Sequence, residues 1–119
     1  MIKIGESPYL ECSSRGDKRF SAFYARIRKY GNKSIEEIYQ SAKIFEDGSR
    51  NLSIKEAKGK RAINMKEVAI LYDELWKIYL DENPELVKEL KKYNGYSDMF
   101  GRKGCQCQAL SIWKYMKAI

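Results

Sequence analysis

Between Asn64 and the Asn83-Pro84 step, Val68, Leu71, Tyr72, Leu75 and Tyr79 recur every three or four residues. That spacing puts them on one stripe of an α-helix, and a stripe this long must be covered by other parts of the chain. The sequence therefore predicts a core built on a helix that opens over Asn64 to Glu67, with Ile63 and Val68 in the staple positions around its cap. Other helices are expected to assemble on it. Ser34-Ile35-Glu36-Glu37 reads as a capping box, followed by Ile35, Ile38, Tyr39 and Ala42 at helical spacing, with Asp47-Gly48 as the stop. A second box, Ser53 to Glu56, opens a short helix that Gly59 ends. Pro84 suits a first helical position, with Leu86, Val87 and Leu90 as the apolar face and Gly95 as the terminator. Gly101-Arg102-Lys103-Gly104 reads as a loop, and a last helix is expected from about Gln106 to Met116, burying Ala109, Ile112, Trp113 and Met116.

The first 33 residues lack such a period. Ser13, Ser14, Gly16 and Asp17 mark a turn, Arg19 to Ile27 reads as a short strand or irregular core segment, and Gly31-Asn32 ends it. The expected fold is mainly α: an α+β chain with a small N-terminal strand element, forming a compact multihelical single domain over residues 1–119. Residues 1–33 would be irregular and strand-containing, and 34–117 helical.

Composition narrows the functional classes. At 119 residues with 44% apolar content, the chain can bury one core without covalent staples. The three cysteines (Cys12, Cys105 and Cys107) are an odd set, and the last two are too close for an easy bridge, so reduced thiols are expected. There is no His, which removes the commonest metal ligand and the commonest general base. No metal and no cofactor is expected. Met1 to Tyr9 holds no apolar run of signal-peptide length and no segment approaches a membrane span, so the expectation is a cytoplasmic protein without a membrane partner. The net charge is +7, with basic blocks over 1–33, 49–66 and 99–119 separated by acidic ones. Blocked positive charge favours a phosphate-bearing ligand and permits nucleic acid.

Three clusters hold residue types suited to such a ligand. Glu36, Gln40 and Lys43 are spaced to share a helix face, offering a carboxylate, an amide and a cation to a ribose, a water and a phosphate. The same spacing is common on solvated faces. In the segment from Tyr93 to Gly104, Asp98 and Phe100 lie among glycines ahead of Arg102 and Lys103, a loop able to hold phosphate or to be a plain turn. Between Ser13 and Tyr24, Arg15, Lys18 and Arg19 precede Phe20, Phe23 and Tyr24, and aromatics among cations suit base stacking. Phe20 and Phe23 are expected to be core, and Arg15 and Tyr24 exposed.

In order, the chain reads Phe20-Ser-Ala-Phe23-Tyr24, Ser34-Ile-Glu36-Glu-Ile-Tyr39-Gln40-Ser-Ala-Lys43, Asn83-Pro-Glu-Leu86 and Asp98-Met-Phe100-Gly101. This series resembles the NADAR family, named for association with NAD and ADP-ribose, whose members include N-glycosidases. The resemblance covers about residues 20–113 and rests on the order and spacing of its motifs. It implies hydrolysis of a bond between ribose and a base or amine, in a riboflavin-pathway intermediate or in ADP-ribosylated guanine of DNA. Glu36 and Asp98 would then be the catalytic carboxylates. Arg15, Arg19, Phe20, Tyr24, Gln40, Lys43, Phe100, Gly101, Arg102 and Gln108 would bind substrate, with Lys43, Arg15 or Arg102 on its phosphate. Phe100 stands where the family has tryptophan, Gln108 where it usually has asparagine, and the chain is shorter than most members.

Three readings follow: an N-glycosidase acting on a phosphorylated ribosyl-nucleobase or on ADP-ribosylated nucleic acid; a non-catalytic relative that sequesters a nucleotide or ADP-ribose derivative; and a small basic nucleic-acid-binding or adaptor protein. None of them fixes an oligomeric state.

Overall fold

Where the period of the sequence is strongest, the helix forms as expected. The computed structural model describes residues 1–104 and 106–119, and for Ile54 the backbone alone; Cys105, one of the three expected thiols, lies outside the described residues. The long helix α3 spans Met65–Glu82 and buries Val68, Tyr72, Leu75, Trp76, Tyr79 and Leu80. Fully burying side chains of this size contributes roughly 1.5–3 kcal/mol each, so this face dominates the core. Two edge-to-face aromatic pairs extend it, Trp76 on Tyr79 with ring centres 5.6 Å apart and Tyr39 on Tyr72 at 4.9 Å.

Both capping boxes are made. Ser34 accepts from the Glu37 amide while the Glu37 carboxylate accepts from the Ser34 amide, opening α1 (Ile35–Ser41). Ser53 and Glu56 do the same for α2 (Ile54–Ala57). Helix α4 spans Pro84–Leu90 and α5 spans Gln108–Ala118.

Several expectations are corrected. Helix α1 stops at Ser41 rather than near Asp47, because Ile44 and Phe45 are drawn into bridges with Arg50 and Ala62. Asn64 precedes α3 but does not cap it with its side chain; that amide accepts from the Ile44 amide and donates to the Ala42 carbonyl, fixing the exit of α1. Ile63 is 64% exposed and makes no buried staple.

The largest correction concerns the sheet, which is not confined to the N-terminal segment. Strands β1 (Ile2–Gly5) and β2 (Tyr9–Glu11) flank β5 (Gly95–Asp98) in the order β1-β5-β2, antiparallel on one side and parallel on the other. Gly95 is therefore not a helix terminator. A Cβ there would come within 2.6 Å of the Ile4 and Glu6 carbonyl oxygens, so only glycine lets the two neighbours close on the central strand. A two-residue pair, β3 (Arg26–Ile27) with β4 (Lys33–Ser34), turns the chain into α1. The result is an α+β fold in which α5 packs on β5 and β1, and α3 packs on α1 and α5. Among the described residues no helix is long and apolar enough to cross a membrane.

Candidate functional site

Helix α1 begins where it does because three local devices agree. The Ser34–Glu37 box caps it, Ile35 is fully buried, and the Glu36 amide donates to the Ala22 carbonyl at 3.0 Å. These fix the direction of Glu36. Its carboxylate accepts from the Gln40 amide at 2.8 Å and opens on a hollow of about 500 Å³ that Phe23 and Gln40 also line. Phe23, expected in the core, is 51% exposed and forms a wall of this hollow, whereas Phe20 beside it is fully buried and packs inside. Phe20 ends the short helical turn Lys18–Phe20 on its buried side, whereas Phe23 and Tyr24 lie in the following turn, Ser21–Tyr24, and face outward. Glu37 and Glu56 also line the hollow, both as partners in their capping boxes.

Asp98 occupies a different environment. It ends β5 rather than sitting in a free loop, and it is 2% exposed. Its carboxylate accepts from the Gln108 side chain at 2.6 Å and from the Phe100 amide at 3.0 Å. Burial pushes its pKa above the ordinary carboxylate range, against these two hydrogen bonds. Asp98 does not line the hollow of Glu36. Glu36 opens on this hollow, Lys43 lines others and Asp98 is buried, so the structure does not bring the three residues together on one of these hollows.

The two acids are still joined through the backbone. Gln108 Nε2 donates to Asp98 while its Oε1 accepts from the Ala22 amide at 3.2 Å, and the Ala22 carbonyl accepts from the Glu36 amide. Tyr72, 3% exposed, feels the charge of both acids. Burial raises its phenol pKa well above normal, and the nearby carboxylates of Glu36 and Asp98 act in the same direction.

Glu11, which the sequence reading passed over, is the counterpart of Asp98. Its carboxylate accepts from the Ser13 and Met99 amides and from the Ser97 hydroxyl, pinning β2 to the turn after β5. Burial pushes its pKa up, but these bonds outweigh burial and leave it below the ordinary value. No local pattern announces this role, since two of its three partners, Ser97 and Met99, lie more than eighty residues away.

No protein-family model matches the chain, and no curated protein matches it.

The remaining candidates disperse. Arg19 is held by Asp17 in an exposed ion pair at 2.6 Å, while its carbonyl accepts from the Tyr79 hydroxyl. Arg15 and Tyr24 are exposed as expected, and Lys18 lies 4.9 Å from the Tyr24 ring centre. Phe100 and Arg102 are exposed, whereas Gly101 is buried, where a Cβ would meet Ile2 at 2.7 Å. Gln108 is buried as the bridge just described. Lys43 follows α1 instead of belonging to it, and its ammonium lies 4.8 Å from the Tyr39 ring centre. Cys12 and Cys107 are free, buried thiols whose pKa values burial raises. That makes them poor nucleophiles.

Proposed function

We propose that this chain is an N-glycosidase-like hydrolase that cleaves a ribosyl C–N bond in a phosphorylated nucleoside or ADP-ribose-type substrate. The observation that carries the proposal is the setting of Glu36, a carboxylate oriented by Gln40 at the edge of a hollow with an exposed aromatic wall. The resemblance of its motifs to NADAR proteins supports the same assignment.

The chemistry follows from that setting. As the C1′–N bond breaks, its electron pair leaves with the base nitrogen, which takes up a proton, and positive charge grows on the ribose ring. A fixed carboxylate beside that carbon stabilises the charge most at the transition state. Water then adds to C1′ and releases its proton, with Glu36 placed to accept it. Phe23 offers a face on which the leaving base can stack. Asp98 serves as a positioning residue in this scheme, acting through Gln108 and Ala22 on the start of α1.

The test is incubation with ADP-ribosylated guanine DNA, ribosyl-phosphate pyrimidine amines and NAD-derived nucleotides, reading released base by mass. Glu36→Gln should slow release on the order of 10²–10³-fold while leaving binding in place. A second reading, a binder without turnover, is favoured by the burial of Asp98, which leaves Glu36 as the one carboxylate lining the hollow that is not held in a capping box. Binding with no release from any of these substrates by the unmodified protein would establish that reading instead.

A further inference from the structure

The hollow of Glu36 is lined by three carboxylates, those of Glu36, Glu37 and Glu56, and by no cation. A phosphate is repelled there. A second hollow against the end of α1, of about 430 Å³, has the opposite character: Tyr39, Lys43, Met65, Lys66, Gly104 and Gln106 line it, and no carboxylate does. Neither lysine ammonium makes an ion pair or hydrogen bond with a described residue. Lys43 is also partly withdrawn from water, which lowers its pKa, and the charge of Glu36 acts in the other direction. An ammonium in that position gains from an anion brought beside it. Lys66 is the second residue of α3, where a cation opposes the helix dipole, so helix stability does not account for it.

Lys43 borders a third hollow with Lys60 and Arg61, but that one is already neutralised. Lys60 lies 2.7 Å from Asp47, and Arg61 lies 3.8 Å from Glu46. Of the cations expected to hold phosphate, Arg15 and Arg102 line neither the second nor the third hollow, and Arg19 is occupied by Asp17.

We propose that the hollow between Lys43 and Lys66 is an anion site that seats the phosphate of the ligand whose ribose meets Glu36, an assignment that rests on the glycosidase reading for the ligand's identity. The acidic and basic hollows then orient the substrate, with the C–N bond toward the carboxylates and the phosphate toward the lysines. The charge-free wall of Tyr39 and Met65 suits the intervening sugar.

Calorimetric titration of the full chain with ribose 5-phosphate, inorganic phosphate and ribose tests this. Both phosphates should bind and ribose should not. Lys66→Glu should weaken ribose 5-phosphate binding at least tenfold, and Lys43→Gln should weaken it similarly. Glutamate is favoured in the first turn of a helix, so Lys66→Glu should fold normally. Lys88→Glu, the same charge change at an exposed site on α4, should alter binding less than twofold, as should Lys60→Gln. An equal loss in Lys88→Glu would assign binding to the overall field and overturn the site. A loss in Lys60→Gln with none in Lys66→Glu, or no phosphate binding at all, would overturn it too. Base release separates the two proposals. If Lys66→Glu releases base as well as the unmodified protein, the glycosidase stands and the anion site falls; phosphate binding without any release does the reverse.

Discussion

Glu36 and Asp98 are both carboxylates, yet their surroundings differ in kind. Around Asp98, a strand end, a backbone amide and a buried glutamine leave the group with little water and two strong donors. Around Glu36 a single amide holds one oxygen, and the rest faces an open hollow. The difference teaches that a closed, saturated carboxylate is committed to the fold, while a half-open one oriented by a single neighbour is available to a ligand. Charge alone does not distinguish the two.

The comparison breaks most visibly at Glu36. Glu36→Gln should lower the rate of base release on the order of 10²–10³-fold, the usual loss when one preorganised electrostatic group is removed. Its unfolding free energy in urea should change by less than about 0.5 kcal/mol, as for surface substitutions. A large loss of stability instead would show that Glu36 belongs to the fold.

Asp98→Ala should do the opposite. It leaves the Gln108 amide and the Phe100 N–H without their acceptor, and should cost about 2–4 kcal/mol in urea unfolding, since buried charged hydrogen bonds are the strong ones. An unchanged midpoint would place Asp98 with the ligand-facing groups after all.

A pH series sharpens the contrast inside the closed region. Because the folded-state pKa of Asp98 is raised, the native protein binds more protons there than the unfolded chain. Its contribution is present at low pH and is lost as pH rises through and above the ordinary carboxylate range. Glu11, with a lowered folded-state pKa, contributes above its unfolded value and loses that contribution as pH falls. Relative to the unmodified protein, Asp98→Asn should therefore gain stability with rising pH, and Glu11→Gln should lose it. Urea midpoints across the acid range read both slopes, and slopes of the same sign would refute the assignment.

The smallest effect is expected at Gln40. Gln40→Ala frees the Glu36 carboxylate from one hydrogen bond on a helix surface, worth roughly 0.5–1.5 kcal/mol. Base release should fall by no more than about tenfold, with KM nearly constant, which steady-state kinetics would show.

How much of this was legible in the chain depends on how far apart the interacting residues are. The two capping boxes, the stripe of α3 and Pro84 at the start of α4 are short-range devices, and each was readable because all its parts lie within a few turns. Strand β5 was not. Gly95-Tyr96-Ser97-Asp98 has neither the alternation nor the β-branched content of a strand, and it becomes one because β1 and β2 supply partners on both sides. The exposure of Phe23 and the early end of α1 escaped for the same reason, since a turn and the bridges of Ile44 and Phe45 decided them.

By itself, then, the sequence determined where the helices start, which face of the longest one is covered, and which acidic and basic residues were available. Only the tertiary structure decided that Asp98 is closed while Glu36 is open, and that Lys43 joins Lys66 rather than Glu36's hollow. The physical reason is that a helix cap is satisfied by neighbours along the chain. The solvation and partners of a carboxylate or an ammonium are set by whichever distant segments happen to fold against it.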